Sequence, residues 1–302
     1  MAASGTSSRL LAALFALVGC DRGKSSSHEA DAECTDARLS ASCADDHYES
    51  CARLGYCFAH GEGVSRDDVR AIAMYRTACD GGVSTACGNL GFMYATGRGV
   101  ARDDRAAFEL YERACTGGSI GDCANLASAL YLGQGAPKDL ERARALSTMS
   151  CSLGDGAGCT GLGLVYFDAR NDRAAVESFR AGCDRGDPAG CGNLGFMLQH
   201  GRGSAPDPVH ARALYERACQ AERWEHCADL GIMLANGEGG SRDPDRAASV
   251  LEAACSHDEA VGCYTLGFMH ARSGRTSEAR RFFDLGCKLS DRESCDALAK
   301  LR

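Results

Sequence analysis

The sequence is short of proline, large aromatic side chains and positive charge. Its 302 residues include 5 prolines and 1 tryptophan, aromatic residues make up 7%, and 33 Lys and Arg stand against 41 Asp and Glu. The formal charge of −8 argues against a nucleic-acid-binding surface, which needs excess positive charge to displace counterions. With 45% hydrophobic and 25% charged residues, the chain is still predicted to fold, around a core of small residues.

Long hydrophobic runs are also missing, apart from one near the start. The apolar run at 10–19 is too short to span a bilayer and predicts that residues 1–19 are a signal peptide. Beyond Gly19 no apolar run approaches the roughly 18 residues of a membrane-spanning helix.

The segment Leu-Val-Gly-Cys that ends at Cys20 resembles the lipobox of bacterial lipoproteins. That resemblance implies a lipid on Cys20 and a flexible tether over the polar residues 20–33. It places the protein in the bacterial cell envelope, lipid-anchored on the periplasmic or outer surface. A plain signal peptide with an incidental cysteine, and hence a secreted protein, is the alternative.

Cysteine and glycine are abundant, with 19 and 37 residues, and the cysteines reveal a repeat. Sixteen of them form pairs spaced by eight, and the first members recur every 36 residues with two steps of 32. Ala lies eight residues before the first cysteine of the last seven pairs, and Leu lies three residues after the second cysteine of the first seven. These offsets are helical and predict two helices per repeat.

The stretch LGFMYATGRGVARDDRAAFELYERA, residues 90–114, resembles the Sel-like repeat, a helical hairpin related to the tetratricopeptide repeat. The added Cys-x7-Cys pattern resembles the cysteine-rich, Helicobacter-type branch of that family. The resemblance implies an all-α fold, a right-handed α-solenoid over 34–302 with a leading half-repeat at 34–46 and a capping helix at 291–302. About seven hairpins are predicted, near 47–82, 83–118, 119–154, 155–186, 187–222, 223–258 and 259–290.

A G-x-G loop joins the two predicted helices of each long repeat, as at Gly97 and Gly99. It recurs without a strand before it, which argues against a dinucleotide-binding loop. The two 32-residue repeats lose four residues at this loop.

The spaced cysteines are predicted to form structural disulfides. Two residues eight apart on one helix lie about 12 Å apart, too far for a disulfide, so each bridge needs a turn such as the DGGVS after Cys79. The predicted bridges are Cys43-Cys51, Cys79-Cys87, Cys115-Cys123, Cys151-Cys159, Cys183-Cys191, Cys219-Cys227, Cys255-Cys263 and Cys287-Cys295. A rival pairing within a hairpin, such as Cys87 with Cys115, is disfavoured because its spacing varies and it leaves Cys43 and Cys295 unpaired.

Cys20, Cys34 and Cys57 remain. If Cys20 carries a lipid, parity pairs Cys34 with Cys57, and this bridge would clamp the N-terminal cap. Nine disulfides require an oxidising compartment, in agreement with the lipobox. Metal and redox roles are disfavoured because C-x-x-C and His-rich clusters are absent from the sequence.

Cysteine-rich Sel-like repeat proteins of the Helicobacter type have been associated with penicillin binding and weak β-lactamase activity, which makes a hydrolase the alternative function. The residues of this chain do not favour a hydrolase. None of the four lysines lies in an S-x-x-K motif, K-T-G is absent, and the eight histidines are scattered. We therefore predict no catalytic residue, cofactor or metal ligand. Turnover of a chromogenic cephalosporin by purified protein would support the alternative.

A binding face is predicted on the first helix of each hairpin. With the second cysteine of each pair as position 0, positions 3 and 7 are apolar, whereas positions 2, 6 and 9 form a separate stripe. In helical solenoids first helices line the concave surface, and amides flanked by Met suit an extended peptide. The alternative is that Met at position 6 only packs against the adjacent hairpin. The predicted function is a scaffold for protein or peptide partners, and the candidate binding residues are Arg53, Asn89, Asn125, Asn193 and Asp229.

Overall fold

The computed structural model describes residues 36–45 and 47–301, and this part of the chain contains sixteen α-helices and no strand. The predicted all-α, disulfide-braced solenoid of helix-turn-helix repeats is confirmed. Residues 1–19, Cys20, the tether and Cys34 lie outside the described residues. The helices are α1 (Asp36–Ala44), α2 (Tyr48–His60), α3 (Asp68–Asp80), α4 (Ser84–Thr96), α5 (Asp104–Thr116), α6 (Ile120–Leu132), α7 (Leu140–Ser152), α8 (Gly156–Asp168), α9 (Asp172–Asp184), α10 (Pro188–Gln199), α11 (Pro208–Gln220), α12 (Trp224–Asn236), α13 (Pro244–Ser256), α14 (Ala260–Arg272), α15 (Thr276–Lys288) and α16 (Arg292–Lys300).

The helices form two compact units, with the boundary between Val165 and Tyr166, inside α8. Within the described residues, every helix is too short or too polar to cross a bilayer.

Helix boundaries follow from local residue chemistry. Six of the seven second helices, all except α15, begin after an Asp or Asn whose side chain accepts a hydrogen bond from a backbone N–H of the first turn, as Asp67 does from Val69 and Arg70. Such a cap contributes about 1 kcal/mol. Four first helices end at a glycine with φ between 68° and 75°, a conformation that glycine adopts without strain.

Within a hairpin, a large side chain of the second helix packs against a glycine of the first. Tyr75 lies on Gly55, Tyr215 on Gly195 and Phe283 on Gly267, and a Cβ on Gly55 would lie 2.7 Å from a Tyr75 ring carbon. These three rings are at most 3% exposed. Small residues on the first helix therefore let the two helices approach closely enough to bury the few aromatic rings that the chain has.

Eight disulfides join the second helix of one hairpin to the first helix of the next, or an end helix to its neighbour. Their Cα–Cα distances run from 4.4 to 4.8 Å. The rival bridge is not formed, because Cys87 bonds Cys79 and Cys115 bonds Cys123. Cys57 is also disulfide-bonded, and its predicted partner Cys34 lies outside the described residues.

The G-x-G loops have a packing role. In the four G-x-G loops that follow an earlier hairpin or a second helix, the second glycine lies against the backbone at the start of the preceding second helix, as Gly99 does against Asp68 and Gly203 against Asp172. A Cβ at either position would overlap that backbone, and both glycines have positive φ. The shorter repeats replace this loop by three residues, 169–171 and 273–275.

Candidate interaction face of the first helices

The first helices expose a different stripe from the predicted one. Position 3 is buried in six of the seven repeats, in agreement with its apolar character. Position 6 is buried in six of the seven repeats, where Met93, Met197 and Met233 are at most 2% exposed, and Met269 is half-buried. The alternative in which these Met side chains only pack inside the fold is therefore the correct one, and position 6 does not belong to a binding face.

Position 5, rather than position 6, contributes exposed side chains to this side of the first helices. Residues at positions 2, 5 and 9 are spaced by three and four, so they lie on one side of a helix. We call these positions the first-helix face. In five of the seven repeats position 5 carries a partly or well exposed aromatic or apolar side chain: Tyr56, Phe92, Phe196, Ile232 and Phe268. In the third and fourth repeats this position is buried, as Ser128 and Leu164.

The five predicted binding residues are not equally accessible. Arg53 is exposed, Asn89 and Asp229 are half-buried, and Asn125 and Asn193 are 6% and 3% exposed. The prediction of Asn125 and Asn193 as binding residues is therefore corrected, because both side chains are buried. The sequence pattern of a single helix does not contain this difference in burial, because it depends on how the helices pack.

Asn125 belongs to a structural brace. Its Nδ2 donates to Oδ1 of Asp122 at 3.1 Å, and Ser119 donates to Oδ2 of the same carboxylate at 2.5 Å. Asp122 is 2% exposed and lies where a Cβ on Gly88 of the preceding first helix would overlap it. The Asn125 amide thus holds a buried carboxylate in the space that Gly88 leaves open.

Two histidines at position 9 are held by an aromatic residue of their own helix. His60 stacks on Tyr56 with ring centroids 4.0 Å apart, and His200 lies 4.3 Å from Phe196. Nδ1 of each ring donates to the carbonyl oxygen of that aromatic residue, at 2.9 and 3.0 Å. Since a carbonyl only accepts, the neutral ring carries its proton on Nδ1 and presents Nε2 as an acceptor at the exposed end of the helix.

Trp224 stacks face to face on His257, with centroids 3.8 Å apart, so it joins two successive inter-repeat turns. Among the residues that the structure describes, no group of three or more His, Cys, Asp or Glu side chains could hold a metal ion.

The Sel1 repeat model matches five segments of the chain, 49–83, 84–119, 122–155, 188–222 and 227–258. A solved structure of c5321, a protective antigen of uropathogenic Escherichia coli with an SLR fold, is 23% identical and has a TM-score of 0.60. That alignment covers 87% of this chain and 58% of c5321. A Sel1 repeat protein from Oxalobacter formigenes is 21% identical, with a TM-score of 0.64 and coverage of 74% and 94%. Comparison with curated proteins gave no match. These structural likenesses concern the fold.

Proposed function

Because the chain belongs to the Sel1 repeat family, whose repeats typically mediate protein interactions, we propose that it is a scaffold that binds protein or peptide partners through the first-helix face. One observation carries the proposal. Hydrophobic side chains that stay partly exposed recur at position 5 of five repeats, whereas positions 3 and 6 of the same helices are mostly buried. Side chains of this kind, rimmed by polar positions 2 and 9, resemble the composition of protein interfaces.

We further propose that the protein works outside the cytoplasm, anchored through a lipid on Cys20. Eight disulfides within the described residues support the first part, because bridges of this number persist in oxidising compartments. The second part rests on the lipobox resemblance alone.

Photo-crosslinking from defined positions tests the interaction face. The crosslinking amino acid p-benzoylphenylalanine would replace Phe92 or Phe268 on the face, and Val69 as the control. Val69 is 67% exposed, more than Phe268 at 48% or the half-buried Phe92, and lies on a second helix, so it is at least as accessible but belongs to a different surface. We expect discrete crosslinked products in intact cells from the two face positions and none from Val69. Equal crosslinking from all three positions, or none from Phe92 and Phe268, would refute the proposed face.

A further inference from the structure

The first-helix face is most regular in the compact unit over residues 166–301. Its first helices α10, α12 and α14 follow one another in the stack, and each has an apolar side chain at position 5: Phe196, Ile232 and Phe268. Phe196 and Ile232 are half-buried, and Phe268 is 48% exposed. These three side chains form a row one residue wide across successive helices, and we call it the apolar row.

The spacing of the apolar row follows from the close packing of these helices. A Cβ on Gly192 of α10 would lie 1.9 Å from a ring carbon of His226 on α12. Cα atoms of α12 and α14 also approach within 8 Å of each other. Helices in such direct contact have axes about 8–10 Å apart, so the side chains of the row recur at about this distance.

Few backbone conformations of a ligand repeat at this distance. A polyproline II chain has about three residues per turn and rises about 3.1 Å per residue, so every third side chain lies on the same side about 9 Å further on. A β-strand repeats the same side about every 6.7 Å. An α-helix repeats it about every 5.4 Å, and its diameter of about 10–12 Å is wider than a row of single side chains. The spacing therefore favours a polyproline II segment with an apolar residue at every third position.

Polar side chains flank the apolar row on both sides. Asn236, at position 9 of α12, is exposed, and Thr265, at position 2 of α14, is half-buried. Polyproline II has no internal hydrogen bonds, so its carbonyl oxygens need donors from water or from a partner. The Asn236 amide and the Thr265 hydroxyl are donors of this kind.

The α14 end of the apolar row is positively charged. Arg272, at position 9 of α14, is exposed, and its guanidinium carbon lies 5.9 Å from the centroid of the Phe268 ring. Within residues 166–301, Arg272 forms no ion pair, since the ion pairs of this part of the chain join other residues. The half-buried Asp229, at position 2 of α12, disfavours a carboxylate near Ile232. Charge complementarity thus favours a ligand with an acidic residue at the Phe268 end.

We propose that the apolar row binds a polyproline II segment of a partner that carries an apolar residue at every third position and an acidic residue beside Arg272. This ligand class rests on the proposed function, since it specifies the peptide that the first-helix face binds.

The middle of the apolar row contains a direct reporter. The chain has three isoleucines, Ile72, Ile120 and Ile232. Labelling of isoleucine δ1 methyl groups therefore gives three NMR signals, one in the row and two outside it, on α3 and α6. A ligand on the row should shift the Ile232 signal and leave the other two in place.

The probes are acetylated, amidated peptides. The period-three peptide is Asp-Leu-Pro-Ser-Leu-Pro-Ser-Leu-Pro-Asp, in which an acidic residue at both ends lets either chain direction bring one to Arg272. The period-two peptide, Asp-Leu-Pro-Leu-Pro-Leu-Pro-Ser-Ser-Asp, has the same composition. We expect the period-three peptide to bind at least about 10-fold more tightly, because only this peptide aligns three Leu side chains with the row. A period-three peptide with Ala in place of each Pro should bind about 3- to 10-fold more weakly, since it is not held in the polyproline II conformation.

Variants of the protein test each part of the site. Phe268→Ala shortens the row at an exposed position and should weaken binding of the period-three peptide by about 3- to 10-fold. Arg272→Gln should weaken it by about 2- to 5-fold and remove the preference for this peptide over one with Asn at both ends. Arg292→Gln replaces an arginine on α16 whose side chain is 93% exposed, outside the row, and should change neither value. Melting temperatures measured under oxidising conditions show whether each variant is folded.

Equal binding of the period-three and period-two peptides, or no Ile232 shift up to about 10 mM of the period-three peptide, would overturn the proposed ligand class. Tighter binding of the Ala peptide than of its Pro counterpart would also overturn it, in favour of a ligand with another backbone conformation. A folded Arg272→Gln variant that still prefers Asp over Asn would refute the acidic end of the ligand.

The ligand class and the scaffold function can fail separately. If Phe92 and Phe268 crosslink to partners while the Ile232 signal does not respond to the period-three peptide, the ligand class fails and the scaffold function stands. Failure of those crosslinks refutes the scaffold function whatever Ile232 does.

Discussion

Asn89 and Asn125 occupy the same position in successive repeats, and we expect their replacement by Ala to have very different effects. Asn89 is half-buried and forms no hydrogen bond within the described residues, whereas Asn125 donates to the buried Asp122 carboxylate. A hydrogen bond to a charged group contributes about 1.5–3 kcal/mol, and its loss leaves a buried acceptor undersatisfied. Asn125→Ala should therefore lower the free energy of unfolding by about 2–3 kcal/mol, and Asn89→Ala by less than about 0.5 kcal/mol.

Urea denaturation followed by far-UV circular dichroism, with the disulfides intact, measures both values. In thermal unfolding the Asn125→Ala difference corresponds to roughly 4–10 °C for a cooperative unit of about 150 residues. Asp122→Ala provides a double-mutant cycle, because once the carboxylate is gone the Asn125 amide has lost its partner. The double variant should be less destabilised than the sum of the two single variants. Equal stability losses in Asn89→Ala and Asn125→Ala, or strict additivity in the cycle, would refute the brace.

Three further predictions follow from the ion pair at Asp68, the disulfides and the lipobox. Hydrogen bonds from Arg98 and then Arg66 lower the pKa of Asp68 to about 2. Because the folded state favours the ionised form, this stabilisation is complete above about pH 5 and is lost as the pH falls through about 2. In the wild-type protein the free energy of unfolding should decrease between those two pH values. Arg98→Ala should make that decrease smaller by roughly 1–2 kcal/mol in urea titrations, and an unchanged pH profile would contradict this. Replacement of both Cys79 and Cys87 by Ser opens a nine-residue loop and should lower the free energy of unfolding by about 2–3 kcal/mol, measured by urea denaturation, with peptide mapping to show that the other bridges remain. Cys20→Ala should abolish incorporation of radiolabelled palmitate in cells and release the protein from the membrane fraction, and unaltered labelling would contradict lipidation.

Much of the fold was readable from local sequence, because each hairpin is specified by residues close together in the chain. Caps such as Asp67, turn glycines such as Gly97 and the Leu at position 3 act within one or two helical turns. The short fourth and seventh repeats fall largely outside the segments matched by the family model, yet their Cys-x7-Cys spacing predicted them, and α8, α9, α14 and α15 are found there.

The sequence by itself determined the helical repeat and the spacing that allows its disulfides, since both depend on contacts between near neighbours in the chain. Only the tertiary structure decided which side of the first helices is open. Position 6 and position 5 are one residue apart and differ by about 100° around the helix, and burial by the surrounding helices closes the first and leaves the second accessible. The same applies to the Asn side chains. Asn125 is fixed by Asp122, whose place depends on Gly88 in the preceding repeat, a contact between residues more than 30 positions apart that no single-helix pattern records.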